Sequence, residues 1–355
     1  MTTNSDYLVE FLYQRLDQDL EDGLQAWSTL FDQLLEGRQL SDCQQLLREV
    51  KRLGATQELG STALILVRAA EGMLEALLGH WDRAVACYQQ AIEAIRQLGD
   101  SSSEAWLLSN LGNICYLAGR LPAARDSYHQ ALEIYRELGH ERGEALTLSN
   151  LGSVYRDSGD LHEARACYER ALDLLRQGGQ RDVEAVTLTN LGSVLQLQQE
   201  WSEAETAYHK ALNLFTELSD LNRQAQVMGN LGTLYLDGGR PEEALTCLLQ
   251  DLQLTQQLDD HVSQAQTLNN LAIAYRRLGH LDEACQCYEN SLALKRELGD
   301  RRGELTTLIN LCYVDRERSD LPMARRHLEE SRALAQELGD SERLAQIERL
   351  EASFL

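Results

Sequence analysis

Proline is scarce in this chain, which has three prolines among 355 residues. Proline disrupts helix interiors because it lacks an amide hydrogen and its ring clashes with the preceding turn. Leu, Ala, Glu, Gln and Arg dominate the sequence instead, and these residues favour helices. Pro122, Pro241 and Pro322 each fall at the first positions of a predicted helix, where proline costs little. The composition therefore predicts an all-α protein.

Long apolar runs and basic residues are also scarce. No run approaches the roughly 18 apolar residues that span a bilayer, and Met1–Asp6 lack the basic and apolar regions of a signal peptide. Lys and Arg number 33 against 56 Asp and Glu, for a net charge of −23. Nucleic acids and anionic membranes bind Lys and Arg through their phosphates, so neither is an expected partner. A reducing cytoplasm is the expected location.

Signatures of metal sites and catalysis are missing from the sequence. Eight cysteines show no disulfide framework, and four of them share one position of an internal repeat, where a small apolar side chain packs well. Cys285 and Cys287 lie too close together for a zinc site. The sequence contains no nucleophile elbow, phosphate loop or His-Glu-x-x-His motif. We therefore expect no cofactor, no metal and no enzymatic activity.

The sequence does contain a short motif ending in Asn-Leu-Gly that recurs every forty residues. The asparagine is kept in all six copies, while the residue after leucine changes from Gly to Ala to Cys. An asparagine inside a helix costs up to about 0.7 kcal/mol relative to alanine, so six cost roughly 3–4 kcal/mol. Something in the fold or the function must offset this cost. The six residues are Asn110, Asn150, Asn190, Asn230, Asn270 and Asn310.

The repeat divides the chain into three predicted parts. Residues 57–340 form seven units of forty residues, each with a helix A, a tight turn, a helix B and a linker ending near Leu-Gly-Asp. Residues 1–56 are predicted to form an N-terminal helical cap with a degenerate repeat, including a helix over residues 6–20. Residues 341–355 are predicted to form a further amphipathic helix. This helix either caps the last unit or detaches and folds into the chain's own groove.

The spacing of small and aromatic residues resembles that of tetratricopeptide repeats. In one unit, the residues that carry the pattern are Gly152, Tyr155, Gly159, Ala164, Tyr168 and Ala171. The usual repeat has about 34 residues, and the forty-residue form is similar to the Pins/LGN, rapsyn and kinesin light chain repeats. The resemblance implies a right-handed α-solenoid of stacked antiparallel helix pairs, a superhelix with helical caps at both ends.

Some units depart from this pattern. The departures are Leu195, Gln199, Leu248, Asp315, Ser319 and Leu328. None of them is expected to break the fold. The C-terminal motifs with which LGN-type proteins bind G-protein subunits are absent, so that role is not transferred.

The resemblance places the six asparagines on a concave face. An asparagine amide offers one acceptor and two donors, and so pairs with the N–H and C=O of one residue in an extended peptide. Neighbouring A helices about 10 Å apart and a peptide rise of about 3.3 Å per residue imply about three ligand residues per unit. The ladder would then engage a segment of roughly 15–18 residues. Alternatively, each amide bonds to the next repeat, and both arrangements remain open.

Side chains near the asparagines on the same face are expected to supply specificity. This face begins apolar and aromatic, becomes polar, and ends with arginines, which suits a peptide with an apolar anchor and carboxylates at opposite ends. No lysine stands one or four residues before any asparagine, which argues against a clamp for a terminal carboxylate. The predicted peptide-binding residues besides the asparagines are Trp106, Asn113, Tyr116, Arg156, Gln196, Gln226, Gln266, Arg276, Arg277 and Arg316.

Three functions are compatible with these observations. The preferred hypothesis is a non-enzymatic scaffold that binds a partner peptide segment in the groove. The first alternative is a peptide-responsive module that controls a partner enzyme or transcription factor, with residues 1–55 as the effector part. The second alternative is a structural homo-oligomer that assembles through its end units. The partner in the first two cases is a protein or peptide.

Overall fold

The computed structural model describes residues 27–352, apart from residues 32, 36, 38 and 57–60. All regular secondary structure within these residues is helical, as the composition predicts. Residues 27–31 and 33–35 are helical as well, while the helix predicted over residues 6–20 lies outside the described part. The sixteen helices with complete bounds are α1 (Leu40–Thr56), α2 (Ser61–Leu77), α3 (Trp81–Leu98), α4 (Ser101–Leu117), α5 (Leu121–Glu137), α6 (Glu141–Ser158), α7 (Leu161–Gln177), α8 (Arg181–Leu197), α9 (Trp201–Glu217), α10 (Leu221–Asp237), α11 (Pro241–Gln257), α12 (His261–Arg277), α13 (Leu281–Leu298), α14 (Arg301–Glu317), α15 (Leu321–Leu338) and α16 (Ser341–Ala352).

The chain forms two compact units, which meet in sequence between Gly179 and Gln180. In the first unit, α2 packs on α3, α4 on α5, and α6 on α7. In the second unit, the packed pairs are α8 with α9, α10 with α11, α12 with α13, and α14 with α15. Each pair is the helix A and helix B of one forty-residue repeat, so within each unit the repeats are tandem helix pairs.

A glycine opposite a tyrosine ring sets the close approach of helix A to helix B. A Cβ atom added to Gly152 would lie 2.8 Å from Cε1 of Tyr168, so the ring occupies the space that a side chain would need. Tyr168, Ala164 and Ala171 are completely buried around this contact. In the repeat that has Leu248 at the tyrosine position, Gly232 faces the leucine instead. The contact therefore survives that departure from the pattern.

The turn after helix A keeps its conformation in the repeats that lack the expected glycine. Gly159 ends α6 with a left-handed φ of 84°, as its position predicts. Gln199 and Ser319 hold the same turn with φ values of 63° and 64°. Left-handed backbone costs a residue with a Cβ about 1–2 kcal/mol. The packing of the helices on either side is sufficient to hold the turn without glycine.

Asp315 is the departure with the largest consequence for the core. It takes a position of helix A where several repeats have tyrosine, and its carboxylate is buried. A hydrogen bond of 2.7 Å joins its Oδ2 to Nδ1 of His327, which is buried on α15. The two polar substitutions therefore satisfy each other across the A–B interface.

Helix α16 follows the last repeat, packs on α15, and buries Ile347 and Leu350 in the apolar cluster of the last repeats. The capping role predicted for residues 341–355 stays a prediction. Among the described residues, none of the helices combines the length and the apolar character that a membrane crossing requires. The division of the chain at residues 56 and 340 stays a prediction.

Candidate functional site

The six asparagines occupy equivalent places on the A helices. Each one is the tenth residue of its helix. Asn110 and Asn150 belong to α4 and α6 in the first unit, and the other four belong to α8, α10, α12 and α14 in the second. We call the side of the A helices that carries these residues the asparagine face.

Two of the asparagines bond to the preceding repeat. Asn150 donates from Nδ2 to Oδ1 of Asn113 over 3.0 Å. Asn310 donates from Nδ2 to Oδ1 of Asn269 over 3.4 Å. At these two places the amide supports the stacking of repeats, which is one of the two roles that the sequence leaves open. The predicted ligand-binding residue Asn113 serves as an acceptor in the same network.

The side chains of the other four asparagines do not bond to the preceding repeat. Within the part of the chain that the structure describes, the side chains of Asn190, Asn230 and Asn270 are half-buried and form no hydrogen bond. The Nδ2 atom of Asn110 is buried and likewise has no partner among the described residues. A buried amide without a partner carries a desolvation cost of about 1–3 kcal/mol. The half-buried side chains of Asn190, Asn230 and Asn270 therefore keep unused donors and acceptors, whereas the buried Nδ2 atom of Asn110 is closed to solvent.

Several of the predicted specificity residues pair with the following repeat. In the first unit, Tyr116 donates to Asp157 over 2.6 Å. In the second, Gln196 donates to Oδ2 of Asp237 over 2.7 Å. Each pair spans 41 residues, which is one repeat plus one position. These side chains therefore brace adjacent A helices within their own unit.

Asp157 receives a second donor from within its own helix. Arg156 donates from Nε to Oδ1 of Asp157 over 2.8 Å. Partial burial raises the pKa of the Asp157 carboxyl, but the hydrogen bonds from Arg156 and Tyr116 outweigh it and hold the pKa below its usual value. Arg156 is thus part of the brace on the asparagine face.

The three arginines that the sequence predicts to bind a ligand lie in the second unit, and each has a partner within the repeats. Arg276 lies 3.9 Å from Glu317. Arg277 donates to the backbone carbonyl of Leu236. The guanidinium carbon of Arg316 lies 5.8 Å from the centroid of the Tyr313 ring, in cation–π geometry. The expectation that these arginines bind ligand carboxylates stays a prediction.

The first unit exposes apolar side chains on the asparagine face. Trp106 precedes Asn110 by four residues and is 47% exposed. Leu66 takes the same place in the preceding repeat and is 37% exposed. Leu117, seven residues after Asn110, is 64% exposed. Residues spaced by four and seven share a helix face, so these side chains give the asparagine face an exposed apolar surface, and their role in binding stays a prediction.

The second unit contains a cavity of about 460 Å³ between α10, α11 and α12. Four of its lining residues are predicted peptide-binding residues: Gln226, Asn230, Gln266 and Asn270. Gln226 and Gln266 are exposed, so the cavity opens to solvent on the asparagine face. The remaining lining residues are Asn222, Ala225, Gly229, Thr233, Asp251, Thr255, Leu258, Asp260, Ser263 and Thr267.

Gly229 and Asp251 shape the inner end of this cavity. Asp251 lies on α11 and is 5% exposed, and Thr267 donates to its Oδ2 over 2.7 Å. A Cβ atom on Gly229 would lie 2.9 Å from the same oxygen, closer than real contacts allow. A side chain at residue 229 would therefore require the carboxylate to shift. In the first unit, a hydrogen bond of 2.9 Å between Ser109 and Thr147 takes the equivalent place.

The cavity contains the Asp251 carboxylate but no cationic side chain to pair with it. Burial raises the pKa of Asp251 to about 6, although the hydrogen bond from Thr267 acts in the opposite direction. The second carboxylate, Asp260, caps α12 by accepting a hydrogen bond of 3.1 Å from the Ser263 amide. The cavity lining contains no Lys, Arg or His side chain.

The sequence analysis did not single out Asp251 or Gly229, although the repeat contains the signal. Asp251 stands where the other repeats have alanine or serine: Ala91, Ala131, Ala171, Ala211, Ser291 and Ser331. Gly229 stands where the other asparagine-bearing repeats have Ser109, Ser149, Thr189, Asn269 and Ile309. Each departure looks minor alone. Only their contact in the fold shows that they belong together.

Comparisons with known proteins agree with this repeat architecture. Apo RapI is similar in fold with a TM-score of 0.68 at 14% identity, covering 95% of this chain and 99% of that one. The apo form of the quorum sensor NprR from B. thuringiensis gives a TM-score of 0.66 at 18% identity, covering 92% of this chain and 95% of that one. A Rap protein complexed with Competence and Sporulation Factor gives 0.56 at 16% identity, covering 90% of this chain and 99% of that one.

At these identities the solved structures share the fold alone, and no curated protein matches the chain by sequence. The family comparison is more specific. The tetratricopeptide repeat model matches six overlapping windows: residues 61–137, 103–177, 143–217, 183–257, 223–297 and 263–337. Together the windows span most of the chain, and from residue 103 onward their starts are forty residues apart, which is the period of the asparagines. The chain therefore belongs to the tetratricopeptide repeat family.

Proposed function

We propose that this chain is a non-enzymatic interaction module that binds a segment of a partner protein on its asparagine face. The observation that carries the proposal is the pair Asn230 and Asn270. Both amides line the open cavity of the second unit, and neither forms a side-chain hydrogen bond within the described residues. An extended backbone has the N–H and C=O groups that such amides bind.

Two further observations support this proposal. The first unit adds exposed apolar side chains around Trp106, which suit an apolar residue of the bound segment. Among proteins of similar fold, one is described as a quorum sensor and one is complexed with Competence and Sporulation Factor. We infer a peptide-like ligand that contributes main-chain groups to the asparagines and side chains to their neighbours.

The test compares capture of a partner from host lysate by the intact chain and by the variant Asn190→Ala/Asn230→Ala. The matched control is Asn213→Ala/Gln253→Ala, which removes two exposed amides from the B helices α9 and α11. We expect the control to retain the partner and the asparagine variant to lose it, at equal helicity by circular dichroism. Equal capture by both variants would place the binding surface elsewhere.

The two alternative functions stay predictions with their own tests. If the chain controls an enzyme or a transcription factor through residues 1–55, deletion of these residues should abolish that output and spare peptide binding. If the chain self-assembles through its end units, light scattering should show a mass that rises with concentration. A constant monomer mass would exclude self-assembly.

A further inference from the structure

We propose that the cavity between α10, α11 and α12 is a specificity pocket for one cationic side chain, arginine or lysine, of the bound segment. This inference rests on the proposed function, because it assigns a ligand side chain to part of the same face. It adds a chemical preference that the asparagines cannot supply, since they contact only main-chain groups.

The chemistry of the lining selects the charge of the occupant. Carboxylates, amides and hydroxyls dominate the lining, and no cationic side chain is among them. An anion would meet Asp251 and Asp260 without a compensating charge. An apolar group would seal Asp251 away from water with no counter-charge, which is a costly arrangement. A cation gains from both carboxylates and leaves the amides as additional acceptors.

Asp251 has an oxygen that is free to bind this cation. The side chain is 5% exposed, and Thr267 occupies Oδ2. Within the described residues, no group donates to Oδ1 and no cationic side chain forms an ion pair with this carboxylate. A buried carboxylate in a cavity that opens to solvent, with one oxygen unused, is therefore ready to accept a charged donor.

The pocket is built from two matched departures in different helices. Asp251 replaces the alanine or serine of helix B, and Gly229 replaces the larger residue of helix A. A side chain at residue 229 would collide with the carboxylate and fill the space in front of it. The two departures are complementary, because Gly229 leaves room for the Asp251 carboxylate, whereas a larger residue at 229 would require the carboxylate to shift. Together they place a carboxylate at the end of an open cavity.

The cavity is large enough to admit one long side chain. Its volume of about 460 Å³ lies within the range of about 300–1,000 Å³ that is usual for ligand pockets. A bound divalent metal ion fits less well, because calcium takes about six to eight oxygen ligands. The described residues contain no cluster of three or more acidic, histidine or cysteine side chains that could hold a metal.

The free-energy cost of keeping Asp251 ionised in the empty pocket also favours a cationic occupant. Burial raises the pKa of Asp251 to about 6, so ionised Asp251 is held at a cost near neutral pH. A cation in the pocket favours the ionised carboxylate and recovers this cost on binding. The recovered free energy contributes to affinity for a charged side chain and not for a neutral side chain of the same shape.

The experiment uses pools of acetylated and amidated nine-residue peptides that are random except at the central position. That position is arginine, its neutral isostere citrulline, lysine or its neutral analogue norleucine. The full-length protein, Asp251→Asn and Glu242→Gln are immobilised, and retained peptides are quantified by mass spectrometry. Glu242→Gln is the control, because it removes an exposed carboxylate from the same helix.

We expect the full-length protein and Glu242→Gln to retain arginine or lysine pools over their neutral counterparts by about tenfold to a hundredfold, the usual range for a hydrogen bond to a charged group. Asp251→Asn should abolish this preference while still retaining peptides. Equal retention of charged and neutral pools by the full-length protein overturns the pocket assignment but leaves the proposed function standing. A preference that persists in Asp251→Asn also overturns the assignment.

Two other results contradict the proposal in distinguishable ways. Retention of no pool by any variant contradicts the proposed function and, with it, the pocket assignment. Agmatine is a second probe, because it carries a guanidinium without a peptide backbone. If agmatine binds the full-length protein as tightly as the retained arginine peptides and loses that affinity in Asp251→Asn, the pocket belongs to a free small molecule.

Discussion

At the scale of single residues, Asp251 differs sharply in chemistry from its equivalents in the other repeats. Alanine or serine packs at this position elsewhere, whereas Asp251 places a carboxylate at the inner end of a cavity. The carboxylate is tolerated because Thr267 donates to it and because Gly229 leaves room for it. Its effect on stability and its relation to Gly229 can both be measured.

The first prediction concerns the pH dependence of stability. Burial raises the pKa of Asp251 from 3.8 to about 6 in the folded state. The folded state therefore binds this proton more tightly than the unfolded state does. The stability that Asp251 contributes is complete below about pH 4 and is lost as pH rises through about 6.

Relative to Asp251→Asn, the free energy of unfolding of the wild type should fall by about 2 kcal/mol between pH 4 and pH 7.5. Urea unfolding of the two proteins at a series of pH values measures this difference. Glu242→Gln should follow the wild type across the range. Parallel curves for the wild type and Asp251→Asn would show that Asp251 is not buried as described.

The second prediction concerns the match between Gly229 and Asp251. Gly229→Ser places a side chain against the Asp251 carboxylate and should lower the free energy of unfolding by about 1–3 kcal/mol, the usual cost of overpacking. Gly229→Ser/Asp251→Ala should recover this loss, because Ser109 and Ala131 occupy these two positions in another repeat. Denaturant unfolding of the four proteins in the cycle provides the measurement. Additive effects would mean that the two residues do not interact.

At the scale of the elements, packing of helix A on helix B depends on complementary pairs across one interface. Four repeats pair glycine with tyrosine, and the repeat of α14 and α15, which has Cys312 and Leu328 at those two positions, buries Asp315 against His327 at a different place in the same interface. The pair replaces apolar packing with a hydrogen bond in a setting that excludes water. A buried pair of this kind is strongly destabilising to break and often near neutral to replace as a whole.

The third prediction follows from this asymmetry. His327→Ala removes the 2.7 Å hydrogen bond to Oδ2 of Asp315 and leaves the buried carboxylate with only the 3.9 Å contacts of Cys285 and Arg318 to Oδ1, which should lower the free energy of unfolding by about 3 kcal/mol. Asp315→Leu/His327→Ala should be much closer to the wild type, because Leu195 and Ala207 form the equivalent pair in another repeat. Unfolding monitored by circular dichroism separates the two variants. If the double variant is as unstable as the single one, the pair contributes more to stability than the hydrogen bond that each side chain provides for the other.

The A helices also show how much of the candidate site the sequence could predict. The six asparagines and their neighbours could be assigned to one face, because helical spacing is a local property. Which of them were braced could not be predicted. The bond from Tyr116 to Asp157 joins residues 41 positions apart, one more than the period, and depends on how the two helices are offset when they stack.

At the scale of the whole molecule, the net charge of −23 gives the protein a negative field. Such a field attracts a cationic segment and raises its association rate, and salt screens it. The field does not select the bound side chain, since it acts at a distance. Selection is left to contacts inside the cavity, so association and specificity should respond differently to salt.

The fourth prediction is a salt-dependent association rate for an arginine peptide from the retained pool. Between about 10 mM and about 150 mM salt, the Debye length falls from about 30 Å to about 8 Å. The association rate should drop several-fold, while the dissociation rate changes much less. Stopped-flow fluorescence measures both rates, with the citrulline peptide as the neutral comparison. An association rate that is equally insensitive to salt for both peptides would contradict this steering.

The sequence by itself determined the helical class, the forty-residue repeat, the positions of the asparagines and the family. Each of these follows from residues close together in the chain, because a helix and its turn are specified by neighbours within a few positions. Even Gln199 and Ser319, which lack the expected glycine, hold the predicted turn. The local pattern was strong enough to tolerate exceptions.

Only the tertiary structure decided which asparagines brace the repeats and which line a cavity. Asn150 bonds to Asn113, whereas Asn230 faces open space beside Asp251. These outcomes depend on contacts between helices, where a side chain meets whatever the neighbouring repeat places opposite. A carboxylate in one helix and a missing Cβ in another have no relation along the chain. They form a pocket only when α10 and α11 pack together.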